Sequence, residues 1–192
     1  MREASANPRM IVGISGASGV IYGARLLELL RPLAVETHLV ISRAAEVTLA
    51  LETDLKLAAV RARADVVHGI GDMAAPISSG SFRTMGMIVA PCSIRSMAEI
   101  ASGATTTLLT RAADVVLKER RRLVLVVRET PLHTGHLRTM TALSEMGAVI
   151  APPVPAFYAK PATIAEMIDQ TLGRVLDLFG LDSGTVRRWG ES

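Results

Sequence analysis

Met10-Ile11-Val12-Gly13-Ile14, then Ser15-Gly16-Ala17-Ser18-Gly19, then Val20-Ile21-Tyr22-Gly23-Ala24-Arg25-Leu26-Leu27-Glu28-Leu29-Leu30: these three consecutive stretches decide the fold. The first is a short apolar run with β-branched residues, the pattern of a buried strand. The second is too small and glycine-rich for anything but a turn. The third spaces its apolar residues as a helix does. Strand, small-residue loop and helix present free backbone N–H groups at a helix N-terminus, an anion site that usually takes phosphate. A purely structural turn is the bland alternative.

The loop narrows the ligand. Its glycines fall as G-x-x-G-x-x-G at 13, 16 and 19, with Gly23 beyond. The dinucleotide fingerprint is instead G-x-G-x-x-G. A dinucleotide site also wants an acid at the end of the second strand to hold the ribose. Here that strand, Thr37-His38-Leu39-Val40-Ile41, runs into Ser42-Arg43. A hydroxyl and a cation suit a phosphate, so a mononucleotide is favoured over NAD.

Length and composition set the outer bounds. A chain of 192 residues is expected to be a single domain, 1–192, burying about 70% of the surface of its unfolded form. Apolar residues make up 49% of the chain and charged residues 20%, which excludes a disordered chain and points to further burial in a homo-oligomer. No apolar run is long enough to span a membrane. Residues 1–9 lack the apolar core of a secretion signal and read as a flexible N-terminus. The single cysteine, Cys92, has no internal disulfide partner, which fits a cytoplasmic protein. The densest basic run, Lys118-Glu119-Arg120-Arg121-Arg122, stands where a helix should end. Cations there complement the helix dipole, and too few aromatics accompany them to stack bases, so no nucleic-acid partner is expected.

Further along, helices are predicted over 44–51, 55–64, 97–101, 105–120, 135–146 and from 163 to 180. Strands are predicted over 65–68, 87–90, 123–127 and 148–150, with a loop at 72–82. Strands alternating with helices give a parallel sheet covered on both faces: an α/β, three-layer α/β/α, Rossmann-like (flavodoxin-like) fold. Ligands of such sheets bind beyond the carboxyl ends of the strands, where strand order reverses. Four strand ends are chemically unusual: 15–19, Ser42-Arg43, Ser93 to Ser96, and Arg128-Glu129. All should lie along one edge.

Each candidate has a bland reading beside it. Arg128 suits a phosphate through bidentate contacts; an internal ion pair with Glu129 is the alternative. Arg111 and Lys118 lie on one helix face, two turns apart, although Asp114 and Glu119 stand ready to pair with them. Glu52 alone reads as a solvated helix end. His133 and His136 read as surface residues, and no zinc-enzyme spacing is present. Cys92 is either a small buried hydrophobe or a thiol at a helix start.

The blocks taken together carry a resemblance. Ser15 to Gly19 with Tyr22-Gly23, Ile77 to Phe82, Ala90-Pro91-Cys92-Ser93, Leu109 to Arg121, Arg128-Glu129-Thr130-Pro131-Leu132, Pro155-Ala156-Phe157-Tyr158 and Arg188-Trp189 stand in order. In these the chain resembles the flavin prenyltransferase family (UbiX type) over about residues 9 to 190.

That resemblance implies a metal-independent transferase, a cytoplasmic flavoprotein that assembles as a dodecamer. It implies transfer of a dimethylallyl group from dimethylallyl monophosphate to N5 and C6 of reduced FMN. The product, prenylated FMN, would serve a UbiD-type decarboxylase. By position, Gly16, Ala17, Ser18, Ser42, Ser93, Ile94, Arg95, Ser96 and Arg128 would hold FMN. Lys118, Tyr158 and Arg174 would hold the donor phosphate, with Arg111 assisting. Ser18, Glu52, Lys118 and Glu129 would be catalytic, and Trp189, in a tail 181–192, would close on the site. Where some family members carry an aromatic residue after Asp72, this chain has Met73, which leaves donor orientation to packing, Tyr158 and Trp189. Two other readings compete: an FMN-dependent peptidyl-cysteine decarboxylase relative, and a non-enzymatic flavin-carrier subunit.

Overall fold

Six strands form one parallel sheet in the computed structural model, which describes residues 7–190. They are β1 (Arg9–Ile14), β2 (Glu36–Ile41), β3 (Val66–His68), β4 (Gly86–Cys92), β5 (Arg122–Val127) and β6 (Val149–Ile150). Their order is β3-β2-β1-β4-β5-β6. Near-continuous burial along β1, β2, β4 and β5 is what a sheet covered on both faces requires.

Alternate residues feed two cores. Met10, Val12 and Ile14 of β1 and Ile88 and Ala90 of β4 pack against α1 (Ile21–Leu30) and α7 (Ile164–Asp177). Ile11, Met87, Val89 and Leu125 point the other way, against α4 (Ile94–Ser102), α5 (Leu108–Lys118) and α6 (Thr134–Glu145). The remaining helices are α2 (Arg43–Glu52) and the short α3 (Leu57–Arg61). Three layers result, with the order reversing between β1 and β4. From that point α1 leaves for one face and α4 for the other.

The helix bounds differ from the sequence reading where side chains cap. Ser93 accepts from the Ser96 N–H, so α4 begins at Ile94 and not at Met97. Thr107 and Thr110 form a reciprocal capping box, which starts α5 at Leu108 instead of Thr105. Of the N-terminus expected to be flexible over 1–9, residues 1–6 lie outside the described residues, and Arg9 is in fact part of β1. The Glu36 N–H bonds to the Pro8 carbonyl and the Met85 N–H to the Arg9 carbonyl, which extends the sheet to that point.

One glycine fixes how closely the first helix lies on the sheet. A Cβ at Gly23 would sit 2.4 Å from the Ala90 carbonyl oxygen and 2.6 Å from Ile14. Alanine is the better helix former by about 1 kcal/mol, but overpacking costs about 1–3 kcal/mol. Gly23→Ala should therefore lower stability by up to about 2 kcal/mol, seen as a lower denaturant midpoint with unchanged slope. A midpoint that rises would mean α1 can lift from β4 at no cost.

Candidate functional site

At the carboxyl ends of β1, β2 and β4 a pocket of about 650 Å³ opens. Ser15, just before the Gly16–Ser18 wall, ties two of its loops together. Its buried hydroxyl donates to the Pro91 carbonyl at 2.9 Å and accepts the Ser93 N–H at 2.7 Å. The loop after β1 is thereby tied to the loop after β4 across the point where strand order reverses. The Ser42 N–H bonds to the Ile14 carbonyl at 2.9 Å and brings in the end of β2. Gly16 lets these loops close up, since a Cβ there would lie 2.3 Å from that of Ala44.

Three helix N-termini therefore meet at one rim. Ser42 caps α2 through the Ala45 N–H, and Ser93 caps α4 through the Ser96 N–H. Each cap satisfies one of the amide groups that a helix start leaves open. Among the described residues, nothing accepts from the N–H groups of Arg43, Ala44, Ile94 and Arg95, and all four residues line the pocket. Open amides and helix dipoles of one sign make a site for an anion.

The third helix is capped from a distance. No side chain of its own loop caps α1; the Glu52 carboxylate, at the end of α2, accepts the Gly19 N–H at 2.8 Å. Burial would raise the pKa of Glu52. Bonds from Ser18, Gly19 and Val20, with the charge of Arg128, outweigh that and hold it below the ordinary carboxylate value. Glu52 is thus ionised at neutral pH, held to the turn after β1 and within reach of the Arg128 charge.

Arg128 and Glu129 both line the pocket. Glu129 accepts from the Thr130 N–H at 2.9 Å. No ion pair joins the two among the described residues, so the guanidinium faces the pocket unpaired. Cys92 is buried, and desolvation pushes its thiol up to about 12; it serves as a small core residue. His133 caps α6 and stacks on His136 with ring centroids 3.6 Å apart.

The predicted residues fall into two groups. Gly16, Ala17, Ser18, Ser42, Ser93, Ile94, Arg95, Ser96, Arg128 and Glu129 surround the one pocket, with Glu52 bonded to its loop. Arg111, Lys118, Tyr158, Arg174 and Trp189 are not in its wall. Arg111 bonds Asp114 and the Ser78 carbonyl, and Lys118 pairs with Glu119. Arg174 bonds Asp177, which Arg188 also grips with two nitrogens. Tyr158 accepts from Gln170 and meets Trp189 edge to face at 5.7 Å. Trp189 is 83% exposed and Phe157 74%. The sequence reading missed Ser15 as a tie, and Ile70, Gly71, Glu99, Thr106 and Thr107 as walls. Only the Thr107-x-x-Thr110 spacing was a visible signal.

A family model described as Flavoprotein matches residues 1–178. Flavin prenyltransferase UbiX of Escherichia coli (strain K12) is 62% identical over 174 residues, covering 90% of this chain and 92% of that protein. A crystal structure of AnUbiX (PadA1) in complex with FMN and dimethylallyl pyrophosphate superposes with a TM-score of 0.95 at 56% identity, covering 97% of this chain and 99% of that one. A dodecameric FMN-dependent UbiX-like decarboxylase from Escherichia coli O157:H7 gives a TM-score of 0.93 at 52% identity, covering 95% and 100%. Among the described residues no helix is long and apolar enough to cross a membrane.

The Glu52 cap predicts a pH dependence. Its folded pKa lies below the unfolded value of about 4.3, so its stabilisation is complete above that value and is lost as pH falls through the folded pKa. Wild type should exceed Glu52→Gln in stability at pH 6–7, and the gap should close towards pH 3, in denaturant titrations across that range. A gap that widens in acid would contradict the cap.

Proposed function

The chain belongs to the UbiX-type flavin prenyltransferase family of flavoproteins, and we propose that it joins the dimethylallyl group of dimethylallyl monophosphate to N5 and C6 of reduced FMN. It is a transferase that acts on flavin, and FMN is its flavin. The observation that carries the reading is the single rim where open amides of α2 and α4, the Gly16–Ser18 turn and the unpaired Arg128 converge on one pocket. Its volume of about 650 Å³ fits a mononucleotide.

FMN supplies the nucleophilic ring atoms when bound. The protein's own residues do the rest. Gly16, Ala17, Ser18, Ser42, Ser93 to Ser96 and Arg128 hold the nucleotide by its phosphate and ribityl chain. Ser18, Glu52 and Glu129 move protons at the edge of the ring and at the leaving phosphate; the Ser18 side-chain bond that helps hold Glu52 ionised supports this. Lys118, Tyr158 and Arg174, with Arg111, take the donor phosphate. As the allylic C–O bond breaks, charge grows on that phosphate, and fixed cations there stabilise the departing group.

Those donor-binding residues stand outside the pocket wall of their own chain, so in this reading they serve the pocket of a neighbouring copy. Exposed Val154, Phe157, Ile164 and Trp189 supply an apolar surface for such a contact. A dodecamer is the assembly proposed, as in the dodecameric relative. The tail at 181–190 packs on α7 through Arg187 and Arg188, and Trp189 closes over the shared site. The product serves a UbiD-type decarboxylase, and the protein works in the cytoplasm as a single unit spanning 1–192.

Purified protein, given reduced FMN and dimethylallyl monophosphate without oxygen, should return a flavin heavier by one isoprene unit. The pyrophosphate, run in parallel, tests the choice of donor. FMN recovered unchanged with both donors would overturn the activity. Lys118→Ala should retain FMN and weaken the donor by roughly 10- to 100-fold, the range expected for one charge-assisted bond. Full turnover in that variant would remove Lys118 from the donor site.

A further inference from the structure

One carboxylate in the flavin pocket has no part in the account above. Glu99 lies one helical turn beyond Arg95 on α4, lines the pocket, and has a side chain only 17% exposed. Both its oxygens are engaged. One accepts from Arg95 Nε at 2.9 Å, the other from the Thr106 hydroxyl at 2.7 Å. The segment carrying Thr106 is itself fixed, because the Ala104 N–H bonds to the Glu99 carbonyl at 3.0 Å. Burial raises the Glu99 pKa, but the bonds from Arg95 and Thr106 outweigh it and keep the group ionised.

A fixed negative charge in the wall of an anion pocket is a cost unless it organises something positive. Arg95 is that group. Its side chain is 84% exposed, and a free arginine carries up to ~2 kcal/mol of rotamer entropy. Glu99 takes only its Nε–H. Among the described residues nothing accepts from its two terminal nitrogens. The guanidinium is therefore held at the pocket wall with its fork still open. That is the geometry for bidentate contact with a phosphate, next to the open amides at the start of α4. A carboxylate gripping the terminal nitrogens would compete with the ligand; this one does not.

We propose that Glu99 is a positioning residue for the flavin phosphate: anchored by Thr106, it fixes the Arg95 guanidinium so that its terminal nitrogens meet that phosphate. The inference rests on the reading of this pocket as the FMN site. Glu99 itself touches neither the phosphate nor the reacting ring atoms. The bland alternative is an i,i+4 surface pair of no consequence for ligand.

Riboflavin, which lacks the phosphate, separates the two. Affinities for FMN and riboflavin are measured by flavin fluorescence for wild type, Arg95→Ala, Glu99→Gln, Thr106→Val and the Arg95→Ala/Glu99→Gln double variant. Glu99→Gln and Thr106→Val keep the shape of the side chain, and a melting curve checks that each folds. Glu99→Gln should weaken FMN by about three- to tenfold and leave riboflavin unchanged. Thr106→Val should lose less, in the same sense. The double variant should bind FMN no worse than Arg95→Ala, as residues acting through one another do. Equal losses for FMN and riboflavin, tighter FMN binding in Glu99→Gln, or fully additive losses would each overturn the proposal. Wild type that binds neither flavin would bring down the pocket reading and this inference together. Wild type that prefers FMN, with no phosphate-specific loss in Glu99→Gln, would bring down this inference alone.

Discussion

A single buried hydroxyl holds the ligand site in shape. Ser15 bridges the loops after β1 and β4, donating to Pro91 and accepting from Ser93. Those loops leave the sheet in opposite directions, one towards each face. Without a tie, the crevice between them would have no defined width. With it, the N-termini of α1 and α4 are held to one separation, and the bond from Ser42 to Ile14 adds α2. A buried serine with both bonds made is stabilising; leaving the Ser93 N–H unpaired would cost about 1–3 kcal/mol.

The electrostatics follow from that frame. The cations of this chain divide by whether an acid accompanies them. Arg128 lines the pocket with no ion pair among the described residues, and Arg95, held by Glu99 through Nε alone, keeps its terminal nitrogens open. Arg111, Lys118 and Arg174 each rest against a neighbouring carboxylate on the outer surface. Exposed pairs of that kind contribute little to stability, so those cations can be redirected to another anion at small cost. The proposed division of labour follows this split: cations with open nitrogens at the pocket for the nucleotide, and cations held only by exposed pairs for a second phosphate.

Much of this was legible in the sequence because it is local. Ser42 and Ser93 announce caps at strand ends, the glycine spacing announces a tight turn, and unbroken apolar runs announce a doubly covered sheet. What stayed hidden depends on distance along the chain. Glu52 caps α1 from 33 residues away, and no spacing rule finds it; read alone it is an ordinary exposed glutamate. Ser15 was visible as a turn residue, but its partners lie 76 and 78 positions on. Ile70, Gly71 and Thr106 become walls only because the Leu108 N–H bonds to the Ile70 carbonyl and draws two loops together. The donor-binding set came from resemblance to a family, and one chain does not bring it to the pocket.

The central claim is that a flavin phosphate sits where the starts of α2 and α4 meet the Gly16–Ser18 turn. A diffraction structure of the protein grown with FMN tests it most directly. The account predicts the phosphate within hydrogen-bond distance of the Arg43, Ala44, Ile94 or Arg95 amides, with the Arg95 and Arg128 guanidinium groups close by. Flavin bound elsewhere on the chain, or with its phosphate directed away from these amides, would contradict it.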